Sequence, residues 1–316
     1  IRGEPELTVR DICRETQTSQ VLGLSCRNAS GDIISHADRA YADMDDISEP
    51  AWDLIDVGRY FYEVLGRNFG LFEVSRGCPY QCAFCTDVMY GKKFRQKSIQ
   101  KLKSEVEENI EKYDIRSGYF FDQLFTCNKN FVHELCDFLI KKQYRFQWCA
   151  QTRPDLVDKD LVSKMKSAGC TLIHFGIESG SQRMLGVMKK KVRLEDAYTG
   201  VSIAKQAEIR TACFFILGMP DETTEKREQT FAFTRKLDPT YVAYRIFLDF
   251  PEILKNPVDM EKRLDTEKYR LIKREIKKEF FRFYLKPKSF FLFAKQIGSM
   301  NIWEQAGFFC RILKTQ

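Results

Sequence analysis

The sequence of 316 residues has no apolar run near the ~18 residues of a membrane-spanning helix, and no signal-peptide pattern at its start. It also lacks the pattern of a disulfide framework, because its eleven cysteines are an odd number and are scattered apart from three within residues 78–85. This usage fits a reducing compartment, and we expect a cytoplasmic protein without a transmembrane segment. The chain begins at Ile1 rather than Met, which favours a fragment or a processed form.

Net charge is absent from the first 250 residues. The whole excess of +7 lies in residues 251–316, where fifteen Lys or Arg face eight Asp or Glu. A basic tail can bind nucleic acid or an acidic lipid surface. A solvated amphipathic helix is the simpler interpretation of such a charge run, so we do not expect a nucleic-acid partner.

From residue 71 onward, apolar runs alternate with stretches of 3.6-residue periodicity. The predicted strands are 71–75, 118–124, 145–153, 171–178, 210–218 and 241–248, and the clearest predicted helices are 98–113, 130–142, 159–169 and 222–237. Six βα units predict a parallel sheet whose strands are covered and therefore nearly continuously apolar. We expect an α/β fold, a partial (β/α)6 barrel of the TIM type with a C-terminal helical extension, and an open doubly wound sheet is the alternative.

The strongest chemical signal is the segment SRGCPYQCAFC, residues 75–85, which follows the first predicted strand. Its thiols, Cys78, Cys82 and Cys85, have the spacing C-x3-C-x2-C and can bind one compact soft-metal centre. A structural zinc site needs four ligands, and no C-x2-C or H-x3-H pair elsewhere completes one. Three thiolates leave one iron of a cubane cluster open; chance clustering and a zinc half-site are the alternatives.

This segment resembles the signature of the radical S-adenosylmethionine (SAM) superfamily, and the six βα units resemble its partial barrel. The resemblance implies that Cys78, Cys82 and Cys85 hold a 4Fe–4S cluster whose free iron is chelated by the amino and carboxylate groups of SAM. One electron from such a cluster breaks the S–C5′ bond, and the 5′-deoxyadenosyl radical abstracts a substrate hydrogen. Phe84 matches the position whose backbone packs against adenine; a plain core aromatic is the other interpretation.

Strand alternation indicates which side chains face the barrel interior. In the third strand Gln147, Cys149, Gln151 and Arg153 share a polar face that we expect to point inward, with Arg153 at the strand end, where it can pair with a carboxylate. In the fourth strand His174, Gly176 and Glu178 share a face. The run FGIESG, residues 175–180, resembles a family motif in which the glutamate reaches the cofactor, whereas His174 is expected to be a satisfied core histidine.

Two further positions match the family. Asp122, in FFDQLF, corresponds to the residue that binds the amino group of SAM, and a helix-capping role is less favoured because the next helix starts near Asn130. Gly218, in GMPDET, lies where the family brings its backbone close to adenosine. The other cysteines are expected to be small core residues, with Cys127 and Cys149 the first candidates for a reactive thiol.

The opening GEPELT, the segment PAWDL ending at Leu54 and the tail FRFYLKP resemble the branch that contains cobalamin-dependent methyltransferases and the anaerobic magnesium-protoporphyrin ester cyclase. We therefore expect residues 1–65 to be the remnant of a cobalamin-binding-type domain and linker, 66–250 the core barrel, and 251–316 a basic helical region. The cobalamin motif D-x-H-x-x-G is absent, so cobalamin is expected only through a missing N-terminal domain. The usual P-x-P-G-T after the sixth strand is replaced by Asp249–Glu252.

The resemblance implies a radical SAM enzyme that methylates or cyclises an unactivated carbon of a small-molecule substrate, with flavodoxin or ferredoxin as reductant. A non-catalytic iron–sulfur electron carrier or redox sensor is one alternative, although a carrier prefers a fully ligated cluster. A tRNA-modifying methylthiotransferase is the other. That family brings a second cysteine-bearing domain and a small β-barrel tail, and the sequence indicates neither. No catalytic residue is assigned.

Overall fold

The computed structural model describes residues 1–14, 21–85, 90–248 and 266–287. One parallel sheet has six strands, β1 (Phe69–Phe72), β2 (Ser117–Phe120), β3 (Gln147–Thr152), β4 (Cys170–Glu178), β5 (Arg210–Leu217) and β6 (Tyr241–Ile246). The α-helices are α1 (Glu6–Arg14), α2 (Ile99–Glu111), α3 (Lys129–Lys142), α4 (Lys159–Ser167), α5 (Gln182–Val187), α6 (Leu194–Gln206), α7 (Thr224–Leu237) and α8 (Glu267–Tyr284). Single-turn 3-10 helices cover Met44–Asp46, Trp52–Leu54, Val57–Arg59, Phe125–Cys127 and Pro154–Leu156.

Three short antiparallel pairs flank the sheet. They join Ser25–Arg27 with Ile33–Ser35, Phe61–Tyr62 with Gly66–Arg67, and Ser75–Arg76 with Arg95–Gln96. The first two belong to the segment that precedes β1. The third pair comes directly after β1 and closes the base of the loop that carries the three cysteines.

The six strands lie in the sheet in chain order, with β1 and β6 at its two edges. All of the ladders between them are parallel. Because right-handed crossovers in one direction place every connecting helix on the same face, the sheet curls with its other face inward. A doubly wound sheet requires a reversal of strand order, and this sheet has none. The order therefore confirms the predicted partial (β/α)6 barrel.

The outer face of the sheet is the main hydrophobic core. Alternate residues of each strand point outward and are buried under the helices, among them Phe72, Phe120, Trp148, Phe175 and Phe215. Four of the helices that cover them start at a polar side chain that accepts a backbone N–H, namely Ser98, Asn128, Asp158 and Thr223. These caps set the start of each helix, and burial of one apolar face holds it on the sheet.

The ends of the strands differ most from the predicted ones at β1 and β2. β1 ends at Phe72 rather than at residue 75, and β2 ends at Phe120 rather than at residue 124. The backbone N–H groups of Val74 and Ser75 donate to the Asp122 side chain instead of to a neighbouring strand. The carboxylate of Asp122 thus accepts hydrogen bonds that would otherwise continue the ladder between β1 and β2, and both strands end there. Helices α5 and α6 were not singled out by the sequence pattern.

The C-terminal helix α8 packs on β6 and α7. Tyr284 bonds the backbone of Val242 through its hydroxyl, and Glu275 and Glu279 pair with Arg227 and Arg235 at 2.6 and 2.9 Å. This confirms a helical extension over the described part, while residues 251–265, 288–316 and the Asp249–Glu252 segment lie outside the described residues. None of the described helices combines the length and the apolarity that crossing a membrane demands.

Candidate active site at the carboxyl end of the sheet

The cysteine loop, residues 77–94, is fastened at both ends. Ser75–Arg76 and Arg95–Gln96 pair antiparallel at its base. Gly77 has φ +77°, and a Cβ there would lie 2.3 Å from the carbonyl oxygen of Lys93. Only glycine fits this close approach with a left-handed backbone, so the turn before the first cysteine is determined by the sequence.

Arg76, which is buried, and Arg95, which is partly buried, tie the loop to the N-terminal segment. Arg76 pairs with Glu73 at 2.8 Å, with Glu6 at 2.5 Å and with Glu4 at 3.4 Å. Arg95, at the far end of the loop, also pairs with Glu4. Because a buried arginine is stable only with its partners in place, the segment before the sheet helps to hold the loop.

None of the three cysteines is fully buried. Cys78 and Cys82 are half-buried and Cys85 is exposed, and none of the three takes part in a disulfide. The Cys85 N–H donates to the carbonyl oxygen of Cys82 at 3.2 Å, and the Ala83 N–H donates to that of Met188 at 2.8 Å. These bonds curl the loop and attach it to the segment after α5.

Burial raises the pKa of the Cys82 thiol, and the charges of Lys190 and Arg153 oppose that rise. Two cations beside a thiol favour the thiolate that binds a soft metal. Across the described ranges, no three His, Cys, Asp or Glu side chains are already close enough to hold a metal ion. The donor set fits an iron–sulfur cluster by its chemistry and spacing, and its assignment rests on those two properties.

Phe84 packs beside a methionine cluster formed by Met184, Met188 and Met219. Its side chain is half-buried there, and Lys190 Nζ lies 5.8 Å from the centroid of its ring. The predicted contact of its backbone with adenine stays a prediction.

Arg153 directly follows β3 and is buried. Its guanidinium donates to both carboxylate oxygens of Asp155 at 3.0 and 2.9 Å, and to the carbonyl oxygens of Lys190 and Lys191. It also stacks over the ring of Tyr80, with its Cζ atom 3.8 Å from the ring centroid. The expected carboxylate partner is thus Asp155, and Arg153 connects the cysteine loop to the loop after α5.

Glu178 ends β4 with an uncommon backbone. Its φ is +71°, and the ladder to β5 shifts register between Gly176 and Glu178. A bulge of this kind changes the direction in which a side chain points. A left-handed backbone conformation is strained in any residue other than glycine, so contacts with the surrounding residues must stabilise it. Lys190 Nζ contacts Glu178 Oε1 at 2.9 Å, and a Cβ at Gly176 would lie 2.6 Å from the same oxygen.

Asp122 is 2 % exposed and lies beyond the end of β2. Its Oδ1 accepts from the Val74 N–H, the Ser75 N–H and the Ser75 hydroxyl, whereas its Oδ2 is fully buried without a partner among the described residues. Burial raises the pKa of Asp122 to about 7 despite these hydrogen bonds. Since α3 is capped by Asn128, Asp122 does not cap that helix. An unpartnered buried carboxylate oxygen is expected to receive a cationic ligand.

Gly218 follows β5 with φ +85°, and a Cβ there would meet Ile272 of α8 at 3.1 Å and Ile246 at 3.3 Å. Its N–H donates to Glu222, which is buried at the start of the next turn. Glycine is therefore required for the turn and for packing against α8. The predicted approach to adenosine at Gly218 stays a prediction.

The inner face of the barrel carries a polar layer formed by Tyr119, Gln151 and His174. The Tyr119 hydroxyl lies 3.2 Å from Gln151 Oε1 and 3.1 Å from His174 Nδ1. Burial lowers the pKa of His174 to about 4. His174 is thus the buried, hydrogen-bonded histidine that the sequence predicts.

The sequence patterns do not indicate a role in the site for several residues that the structure places there. Lys190 lies in a run of three lysines, which by itself indicates a solvated turn, and only the need of Glu178 for a basic partner points to it. Tyr119 could have been found by alternation, because it lies on the face of β2 opposite the buried Phe120. Its ring contacts that of Phe121, just beyond the strand, at 5.5 Å between centroids. Arg76 and Tyr80 lie inside the quoted loop, but their partners are distant in sequence.

The two proposed reactive thiols differ in environment. Cys149 is fully buried on the inner face, where burial raises the pKa of its thiol to about 12, so the structure places it among inert core cysteines. Cys127 is half-buried, and burial also raises its pKa.

The model of a protein family described as the Radical SAM superfamily matches residues 72–234, more than half of the chain. The chain is 29% identical over 315 residues to an uncharacterised methyltransferase of Pyrococcus horikoshii, PH0819, with 91% of this chain and 67% of that protein covered. It is 23% identical over 284 residues to the anaerobic magnesium-protoporphyrin IX monomethyl ester cyclase of Rubrivivax gelatinosus, covering 86% of this chain and 51% of that one.

Among solved structures, the chain is similar to the radical S-adenosylmethionine methyltransferase TsrM from Kitasatospora setae, with cobalamin and a [4Fe-4S] cluster bound. The TM-score is 0.62 at 17% identity, and the alignment covers 78% of this chain and 50% of that one. This likeness shows a shared fold. The chain thus spans between half and two thirds of the length of these relatives.

Proposed function

The chain belongs to the radical SAM superfamily, and on that premise we propose that it is an enzyme that cleaves SAM reductively and uses the radical to methylate or cyclise an unactivated carbon. Cys78, Cys82 and Cys85 would hold a 4Fe–4S cluster. When bound, such a cluster supplies the electron for cleavage of the S–C5′ bond of SAM. The observation that carries the proposal is the fastened three-thiol loop directly after the first strand of the partial barrel.

The protein side of SAM binding is assigned to residues at the carboxyl end of the sheet. Asp122 would bind the SAM ammonium group through its unpartnered Oδ2, which would lower the pKa of this buried carboxyl toward its usual range. Glu178, held by Lys190, would bind a polar group of the cofactor. Phe84 and Gly218 would place backbone beside the adenosine.

Arg153 acts on the cofactor site through other residues. Its guanidinium N–H groups donate to Asp155 and to backbone carbonyl groups of the loop after α5, including that of Lys190. Because its guanidinium also stacks on the ring of Tyr80, Arg153 would hold Tyr80 and Lys190 in position. This divides the predicted cofactor-binding residues into two kinds. Asp122, Glu178, Phe84 and Gly218 would contact SAM, while Arg153 would hold the surroundings of the cysteines in place.

The proposal extends to domains and partners. Residues 1–65 would be the remnant of a cobalamin-binding-type domain and linker, 66–250 the catalytic barrel and 251–316 a basic helical region. Cobalamin would come from a domain that precedes this chain, as the cobalamin-bound methyltransferase similar to it suggests. A flavodoxin or ferredoxin would donate the electron in the cytoplasm, and the substrate would be a small molecule.

Anaerobic reconstitution tests the function. With iron and sulfide, then SAM and dithionite, the chain is expected to form 5′-deoxyadenosine. Each of the variants Cys78→Ala, Cys82→Ala and Cys85→Ala is expected to reduce its formation to the background of a reaction without protein, because a cluster that lacks a thiolate is lost. The measurement is liquid chromatography of the product with iron and sulfide analysis of each variant.

The matched control is Cys13→Ala, which removes an exposed thiol far along the chain from the loop and should leave the product unchanged. Three outcomes contradict the proposal: a bound zinc ion in place of the cluster, a cluster that forms without cleaving SAM, or full activity in any of the three loop variants. The second outcome supports an electron carrier.

A further inference from the structure

The inner face of the sheet is more accessible than its outer face at the same strands. Inward-facing Leu71 and Phe121 are 49 % and 62 % exposed, although both are large and apolar. The neighbouring inward-facing residues Phe214 and Ile216 are only half-buried. Apolar side chains left open inside a concave sheet, with polar groups among them, are typical of a site for an apolar ligand.

An apolar floor closes this face at the amino end of the strands. Leu65, Cys149, Leu172 and Ala212 are buried there, with aromatic rings packed around them. The polar layer of Tyr119, Gln151 and His174 lies next along the strands. Gln151 and His174 are register partners, and they form the next inward-facing pair after Cys149 and Leu172. A ligand that enters from the carboxyl end of the strands would reach this layer before the floor.

The hydrogen-bond directions in the polar layer follow from its chemistry. Gln151 Oε1 can only accept, so the Tyr119 hydroxyl donates to it. His174 Nδ1 then donates to the Tyr119 oxygen. The neutral imidazole keeps a lone pair on Nε2, and the Gln151 amide keeps both N–H donors.

Both of these remaining groups are open to a ligand. Within the described chain neither His174 Nε2 nor the Gln151 amide nitrogen has a hydrogen-bond partner, and neither is among the fully buried atoms that lack one. The layer therefore offers one acceptor and two donors side by side. A hydroxyl group, which donates one hydrogen bond and accepts others, is complementary to this pair.

No charged side chain is part of the polar layer. Further along the strands, Glu178 pairs with Lys190, Arg153 pairs with Asp155, and Arg245 is exposed. At the amino end of β5, Arg210 donates to the carbonyl and hydroxyl oxygens of Thr171. A carboxylate placed in the layer would meet a histidine lone pair, while Lys190, Arg153 and Arg210 already have partners, so the layer favours a neutral group over an anion.

We propose that Tyr119, Gln151 and His174 form the specificity-determining layer for a substrate that is apolar or aromatic and carries a neutral hydroxyl-type group. His174 Nε2 would accept from that group and the Gln151 amide would donate to it, while Leu71 and Phe121 cover the apolar body. The identification of this ligand as the substrate rests on the proposed function; the binding preference does not.

Three probes of one ring system test the preference: naphthalene, 2-naphthol and 2-naphthoate, titrated into the full 316-residue chain by calorimetry at pH 7. We expect 2-naphthol to bind roughly three- to ten-fold more tightly than naphthalene, the range for one added neutral hydrogen bond. We expect 2-naphthoate to bind more weakly than 2-naphthol.

The double variant Gln151→Leu/His174→Phe keeps the size of the layer and removes its polar atoms. We expect naphthalene to bind it as it binds the wild type, which verifies folding, while the preference for 2-naphthol falls to one or below. Tyr119→Phe should reduce the preference in part, because the other two groups lose their linking hydroxyl. Tyr144→Phe is the control, since it removes a hydroxyl that bonds Glu111 at 2.6 Å on the outer surface, and should keep the preference.

Equal binding of naphthalene and 2-naphthol to the wild type overturns the inference, as does tightest binding of 2-naphthoate or a preference that survives in the double variant. None of these titrations needs the cluster. A chain that forms 5′-deoxyadenosine but shows no preference contradicts this inference alone. A chain that shows the preference but never cleaves SAM contradicts the proposed function alone.

Discussion

The two faces of the six-stranded sheet, built from alternate residues of the same strands, have opposite properties. The outward residues, such as Phe120 and Trp148, are buried under helices in one apolar core. The inward residues include a polar layer, the paired charges at the strand ends and the exposed Phe121. Folding free energy thus comes chiefly from the outer face, and the inner face is left for binding.

The largest test of this comparison truncates one aromatic residue on each face. Trp148→Ala should lower the free energy of unfolding by about 3–5 kcal/mol, because it leaves a cavity in the outer core and removes the indole hydrogen bond to Ala168. Phe121→Ala should change it by less than about 1 kcal/mol, because that ring is largely exposed. Urea denaturation measures both, and similar losses for the two variants would refute the assignment of stability to the outer face.

The second test uses acid and the buried histidine. The pKa of His174 is about 4 in the folded chain, below its ordinary value of 6.5, so unfolding gains a proton. Above pH 6.5 the histidine is neutral in both the folded and the unfolded chain and does not affect the pH dependence of stability. As the pH falls from 6.5 toward 4, the unfolded chain takes up the proton first, and the free energy of unfolding decreases by about 3 kcal/mol. His174→Phe lacks this group, so the wild type should lose about 3 kcal/mol of unfolding free energy relative to the variant between pH 6.5 and pH 4.

His133→Gln is the control for the acid test, since this histidine lies on the outside of α3 near Asp160. Its unfolding free energy should follow that of the wild type from pH 7 to pH 4. A His174→Phe variant that loses stability in parallel with the wild type would show that the inner face does not hold a neutral imidazole.

The smallest expected stability effect concerns Asp122. Its folded pKa of about 7 lies above the ordinary 3.8, so the buried carboxylate destabilises the folded chain increasingly from pH 3.8 to 7 and fully above pH 7. This shift corresponds to about 4 kcal/mol at pH 8, and an amide accepts the three hydrogen bonds to Oδ1 more weakly than a carboxylate by about 2 kcal/mol in all. Asp122→Asn should therefore raise the free energy of unfolding at pH 8 by about 2 kcal/mol. The same variant should bind SAM at least about ten-fold more weakly, since it loses the charge that we propose binds the ammonium group.

Chemical denaturation at pH 8 and calorimetry with SAM measure the two effects of Asp122→Asn, and Asp160→Asn, on an exposed carboxylate, is the control. Lower stability in the Asp122 variant, or unchanged SAM affinity, would contradict the role assigned to Oδ2. If Asp122 is a buried charge kept for binding, Asp122→Asn should be more stable than the wild type and should bind SAM more weakly.

Much of the fold could be predicted because its signals are local. The six apolar runs predict the six strands, and the predicted helices 98–113 and 130–142 lie close to α2 and α3. The ends of β1 and β2 could not be predicted, since both depend on Asp122 accepting the N–H groups of Val74 and Ser75 almost fifty residues away. Helices α5 and α6 have weaker apolar periodicity, which does not predict them.

The candidate site divides in the same manner. Cys78, Cys82 and Cys85 are recognisable because one short loop carries them all, and inward placement of Gln151 and His174 follows from alternation. The partners of these residues are not readable from spacing. Lys190 beside Glu178 and Tyr80 beneath Arg153 become neighbours only when loops of different βα units meet at the carboxyl end of the sheet.

The sequence by itself determined the periodicities and the three-thiol loop, because each depends on residues within a few turns of one another. The order of the strands, which separates a partial barrel from a doubly wound sheet, was decided by the tertiary structure. Only the tertiary structure decided that Asp122 keeps an unpartnered oxygen, that Glu178 has a basic partner, and that Tyr119 links Gln151 to His174. The physical reason is that buried polar groups must find partners wherever the fold brings them, and curling of the sheet brings together residues from separate strands.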